Sequence, residues 1–261
     1  MNSDNYFGGD AVHAQLRIYG ELKDFLSSNF LSAEYRVEFP EQRSVKDLIE
    51  SEGIPHTEVG LILVNGESSG FNAPVGDGER VAVYPHFSNL PAERASAISR
   101  PPLPVLRFVA DIHLGKLVRR LRLLGYDCAY GPGFEDEQLA ERSAREERVL
   151  LTRDRGLLMR RIVVHGIFVH SDDVRQQLQQ VVEKTGIDPA RCSLSRCLEC
   201  NGRLKRVDRE QVRELVPTYT YETTDIFLQC QECGKPYWKG THWPKLRGFI
   251  DEIDPAGKEE R

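Results

Sequence analysis

Residues 105–173 predict an α/β domain built on a parallel sheet. A β-rich unit with a helix in its middle precedes it, and a four-cysteine zinc ribbon follows. Three observations carry this reading. Short apolar runs alternate with helical patterns across the middle of the 261-residue chain; alternating apolar positions fill the first third; and two Cys-x-x-Cys pairs occupy the last.

In the first third, Val12-His13-Ala14-Gln15-Leu16-Arg17-Ile18-Tyr19 alternates as a half-buried strand does, a helix is expected from about Glu21, and Tyr35–Phe39 reads as a second strand. Ser44-Val45-Lys46-Asp47 opens a helix through Leu48-Ile49, with Ser44 as N-cap. Strands follow at Leu61–Val64, ending in an Asn65-Gly66 hairpin turn, and at Val81–Tyr84. The four prolines of residues 89–104 mark a linker, so this unit spans 11–88.

The middle domain, 105–190, contains three apolar runs that end in carboxylates: Val105–Asp111, Val149–Asp154 and Ile167–Asp173. As neighbouring parallel strands they would gather acids at the carboxyl edge of the sheet, where open α/β folds bind ligands. A nest of acids there suits divalent cations and metal-assisted chemistry on phosphate. Each aspartate has an alternative use as cap of the following helix. Asp111 is the firmest candidate, Asp154 the next, and at most one of the adjacent Asp172 and Asp173 is expected to point inward. Leu114–Gly125 is an amphipathic helix, with Leu114, Leu117, Val118, Leu121 and Leu124 on one face and Lys116, Arg119 and Arg120 on the other. That basic face is either simply solvated or a contact for a phosphate backbone. A short strand over Asp127–Tyr130 and a helix through Gln138–Ala140 complete the pattern, placing Asp136 before that helix.

Cys197, Cys200, Cys230 and Cys233 form two knuckles that together predict a closed, structural zinc site within a ribbon at 191–254. Cys128 and Cys192 fall outside it. Trp238 and Lys239 belong to an aromatic and basic stretch that also includes Lys235, Tyr237, His242, Trp243, Lys245 and Arg247. Such a stretch can stack on unpaired bases or pack the ribbon against its neighbour.

The net charge is −5, distributed as −7 over residues 1–100, +2 over 101–191 and zero over 192–261. A nucleic-acid surface is therefore expected on the later segments. No apolar run approaches the roughly 20 residues that span a bilayer, and the N-terminus lacks the pattern of a secretory signal; a cytoplasmic protein without a membrane partner is expected.

Val64-Asn65-Gly66 and Asp77–Val83, with the order of elements around them, resemble the ubiquitin-like β-grasp sulfur carriers of thiamine and molybdopterin synthesis. Those carriers act through a free C-terminal Gly-Gly. Here Tyr84-Pro85-His86-Phe87 runs on into the linker, so a docking module for a protein partner is expected instead of sulfur transfer. Phe108–Asp111, Leu114–Leu117, Leu121–Asp127 and Leu150–Asp154, followed by the cysteine pairs, resemble the PIN-like Mut-seven C-terminal RNase family, some members of which carry a ubiquitin-like domain in front. The resemblance implies a PIN-like nuclease domain and an acidic site for Mg²⁺ or Mn²⁺ at Asp111, Asp136 and Asp154, with a fourth acid at Asp173 or its neighbour Asp172. RNA is the substrate it implies; the basic face of the helix and the aromatic and basic stretch then offer Lys116, Arg119, Arg120, Trp238 and Lys239 as RNA contacts. The alternatives are a non-catalytic RNA-binding adaptor, and a phosphatase or nuclease acting on something other than RNA.

Overall fold

The structure, a computed structural model, describes residues 12–26, 34–86, 97–98, 100–189, 193–240 and 248. The chain divides into two compact units: residues 1–102 with Asp154–Gly166, and Leu103–Arg153 with residues 167–261.

In the first unit, β1 (Val12–Ile18) is followed by a 3-10 helix, Gly20–Phe25, where the sequence predicts a helix from about Glu21. Leu22 and Phe25 are buried in it, three residues apart, the spacing that repeats in a 3-10 helix. Next come β2 (Glu34–Phe39), β3 (Arg43–Ser44), α1 (Val45–Ser51), a 3-10 turn at His56–Glu58, β4 (Val59–Val64), β5 (Glu67–Ser69), β6 (Pro74–Val75) and β7 (Glu79–Pro85). The main sheet runs β2-β1-β7-β4-β5, with β1 and β7 parallel at its centre, and β3 pairs with β6 separately. This is the ubiquitin-like β-grasp arrangement. Ser44 Oγ accepts from the Asp47 N–H at 3.1 Å, the expected cap. Asn65 and Gly66 take φ of 51° and 89°, so the two-residue β4–β5 hairpin has both central residues in the left-handed region that its turn requires.

The second unit is centred on the four-stranded sheet β11-β10-β8-β9. Its strands are short: β8 (Phe108–Ala110), β9 (Cys128–Ala129), β10 (Val149–Thr152) and β11 (Gly166–Phe168), with β8 parallel to both β10 and β9. The three apolar runs are thus neighbours, although the first contributes only three residues to the sheet. Phe108, Ala110, Val149 and Leu151 share a core with α2 (Gly115–Leu123) and α5 (Val174–Thr185). Val109 and Leu150 alternate to the opposite face, where α3 (Asp136–Arg145) packs on β8 and β10. Burial on both faces is why these runs are continuously apolar. The four-residue α4 (Arg155–Leu158) belongs to the first unit.

The ribbon comprises β12 (Leu204–Val207), α6 (Thr218–Thr223), β13 (Phe227–Cys230) and β14 (Pro236–Trp238), an antiparallel sheet in the order β12-β13-β14. It does not fold around a separate interior alone. Leu194, Leu198, Leu204 and Leu228 pack into the α2–α5 core, while a smaller cluster of Val212, Val216 and Phe227 lies under Trp238. Of the linker, residues 89–96 and 99 lie outside the described residues, as do Cys192 and residues 241–247, with His242, Trp243, Lys245 and Arg247.

Candidate active site

The strand-end acids differ in what their oxygens do. Asp111 follows β8 and begins a 3-10 turn, Ile112–Leu114, without a side-chain cap bond. Its Oδ2 accepts instead from Thr152 Oγ1 at 3.0 Å, and its N–H donates to the Leu151 carbonyl at 3.0 Å. The carboxylate is half-buried, while Thr152 is fully buried. Neighbouring strands therefore fix the direction of Asp111 without engaging it in a helix end. Asp136 is exposed and is the first residue of α3, because Glu135 takes the cap and forms a reciprocal pair with Gln138. Asp173 caps α5, accepting from the N–H groups of Arg175 and Gln176. Asp172 pairs with Arg153. In the first unit, Asp154 Oδ1 caps α4 through the Leu157 N–H at 3.1 Å.

Among the described residues, the four cysteines are the one group of three or more metal-ligating side chains whose ligand atoms all lie within 4.8 Å of one another. The aspartates form no such group. Carboxylate oxygens are nevertheless the hard donors that Mg²⁺ and Mn²⁺ take, so the donor chemistry at Asp111 fits such an ion.

A cleft of about 440 Å³ is lined by Ile112, the residue after Asp111, and by His113, Lys116, Arg119, Tyr130, Arg153, Asp172 and Glu199, among others. Lys116 and Arg119 are exposed on α2, and Arg120 is half-buried, its pKa lowered by burial. Tyr130 donates to the Ile112 carbonyl at 2.9 Å, bracing the turn that starts at Asp111. Lys239 is exposed, and Trp238 is half-buried with its ring 6.4 Å from that of Phe227. Trp238 therefore contributes to packing of the ribbon.

The cysteines converge. Cys197 and Cys233 Sγ lie 3.6 Å apart, and Cys200 and Cys230 Sγ 3.4 Å apart. Tetrahedral zinc with Zn–S bonds of about 2.3 Å sets its sulfurs about 3.8 Å apart, so a single zinc ion fits with little adjustment. The left-handed Asn201 (φ 71°) and Gly234 (φ 72°) turn the chain after each pair. At Cys197, burial opposes the thiolate, but the Cys200 N–H and the Tyr237 hydroxyl outweigh it and bring the pKa to about 6. Tyr237 Oη lies 3.1 Å from Cys197 Sγ and also accepts from the Leu198 N–H. Tyr237 thus supports the knuckle through its hydroxyl contacts with Cys197 and Leu198, a role that its aromatic character alone did not disclose.

Sequence reasoning passed over the residues that join the knuckle to the sheet. Arg122, 3% exposed on the apolar face of α2, donates to the carbonyls of Cys128, Leu198 and Glu199. Asn201 accepts from the Cys128 N–H and donates to Asp127, which also receives Arg148 at 2.7 Å. Burial pushes the Asp127 pKa up, yet Arg148, Asn201 and Arg196 together hold it below its ordinary value. The available signal was an arginine placed among leucines at core spacing.

Residues 106–250 match the family model described as the Mut7-C RNAse domain, and residues 11–91 match that described as Mut7-C ubiquitin. The chain belongs to the Mut7-C RNase family. The Mut7-C domain thus takes in the sheet, the basic cleft and the cysteine knuckles together, and it assigns the chain a nuclease-type function. No curated protein matches the chain. Among solved structures, a putative molybdopterin converting factor subunit 1 from Pyrococcus furiosus is similar at 21% identity, covering 28% of this chain and 97% of that one with a TM-score of 0.23. Among the described residues, no helix is long and apolar enough to cross a membrane.

Proposed function

We propose that this Mut7-C protein is a metal-dependent ribonuclease of the cytoplasm. Asp111, Asp136 and Asp154, with Asp173 or its neighbour Asp172 as the fourth acid, would hold Mg²⁺ or Mn²⁺. When bound, such ions stabilise charge on the scissile phosphate and on the leaving oxygen of an in-line displacement. The observation that carries the proposal is Asp111, a strand-end carboxylate oriented by Thr152 and unused as a helix cap. Thr152 restrains one oxygen, leaving the other for a ligand. Lys116 and Arg119 border the cleft that Ile112, next to Asp111, also lines, and suit the phosphate backbone, with Arg120 behind them and Trp238 and Lys239 extending the RNA path over the ribbon. The cysteine site has no open position once four thiolates bind zinc, so its contribution is structural.

The test is RNA cleavage by the wild type and Asp111→Asn in Mn²⁺, Mg²⁺ or EDTA. Metal-dependent cleavage by the wild type alone is expected, and equal cleavage by both proteins would discard the site. A second reading, an RNA-binding adaptor, is favoured by one observation: Asp154 and Asp173 both engage their carboxylates as helix caps. RNA binding without cleavage in any metal would establish it.

A further inference from the structure

The segment that leaves β10 is gripped by the β-grasp unit. Arg155, directly after Asp154, donates to the Phe25 carbonyl at 2.6 Å and to the Asp24 carbonyl at 3.4 Å. Its guanidinium lies 5.0 Å from the centre of the Phe25 ring, itself only 2% exposed. Eight residues on, the carbonyl of the fully buried Val163 lies 2.9 Å from His56 Nε2, whose Nδ1 lies 2.7 Å from Glu50. Arg100 donates to the His56 and Val59 carbonyls, fixing the turn that carries His56. A Cβ on Gly166 would come within 2.5 Å of Leu158 Cδ2 and 3.5 Å of Thr57, so the end of the segment is closely fitted as well.

These anchors lie at the beginning, near the end and at the end of Asp154–Gly166, and they belong to the β-grasp surface around Phe25 and His56. We propose that the β-grasp domain is an intramolecular positioning domain, holding the segment that begins with Asp154 through Arg155 and His56. A partner recruited to the domain would then have to use another of its surfaces. The proposal rests on the reading of Asp154 as a metal-site acid. Arg155 and His56 are positioning residues, since they act through the backbone on either side of α4 and touch no reacting atom.

The full chain, as wild type, Arg155→Ala, His56→Ala, Arg155→Lys and the β-grasp control Arg36→Ala, is compared by amide hydrogen exchange over residues 154–166, by kcat and KM on RNA, and by Mn²⁺ half-saturation. Arg155→Ala and His56→Ala should speed exchange in the segment, lower kcat by about 10-fold or more and raise Mn²⁺ half-saturation, with KM little changed. Arg155→Lys, which keeps a donor and a cation over the ring, should recover part of the loss, and Arg36→Ala should match the wild type. If Arg155→Ala does not fold, His56→Gln makes the same comparison. Faster exchange with unchanged kcat and metal dependence overturns the proposal, and so does unchanged exchange. Asp154→Asn separates the two failures: if it is inactive while Arg155→Ala and His56→Ala are fully active, only the positioning role falls. If Asp154→Asn itself cleaves like the wild type, the acid reading falls, and the positioning role with it.

Discussion

Two aspartates of the same type, each following an apolar strand, have acquired different surroundings. Asp173 accepts from two helix N–H groups, a cap worth about 1 kcal/mol, whereas Asp111 accepts from a buried threonine on the adjacent strand. That difference could not be read from spacing, because either use requires only an acid ahead of a helix. It depends on register: Ala110 lies opposite Leu151, which brings Thr152 beside Asp111. Thr152→Val keeps the shape and removes the hydroxyl. It should lower Mn²⁺ affinity or cleavage by about 10–100-fold, as loss of an orienting partner of a metal ligand does, with little change in melting temperature. Metal titration of activity, alongside a thermal melt, checks this.

At the scale of elements, the amphipathic pattern of α2 was legible because each turn contributes to one apolar stripe, and Leu117, Val118 and Leu121 are buried as expected. The basic face was legible only in part: Lys116 and Arg119 border the cleft, whereas Arg122, three residues after Arg119, is buried and binds three carbonyls of the sheet and the knuckle. Arg119 also pairs with Glu199, which holds Lys235 in turn, linking the helix face to both knuckles. If Lys116 and Arg119 each meet one phosphate, replacing both with alanine should weaken single-stranded RNA binding at low salt. It should also reduce the slope of log affinity against log salt by about 1.4, at about 0.7 per phosphate contact. Binding isotherms at several salt concentrations supply the measurement; an unchanged slope would reassign the pair to an ordinary solvated face.

At the scale of the whole molecule, the ribbon and the sheet domain share a core through Leu194, Leu198, Leu204 and Leu228. Zinc should therefore stabilise more than the ribbon. Chelation is expected to lower the melting temperature of the whole second unit in one transition, whereas two separate transitions in calorimetry would show that the ribbon unfolds alone; structural zinc can supply apparent binding energies of about 10–16 kcal/mol to such a domain. The sequence by itself determined the α/β pattern, the β-grasp strands, the two cysteine pairs and the positions of the acids, since periodicity, turn residues and motif spacing are local properties of the chain. Only the tertiary structure decided which acids cap helices and which do not, that Tyr237 serves the first cysteine knuckle, that Arg122 joins two parts of the nuclease domain, and that Asp154–Gly166 packs with the β-grasp strands. Each of these depends on contacts between residues far apart in sequence, which hydrophobic pattern and motif spacing do not encode.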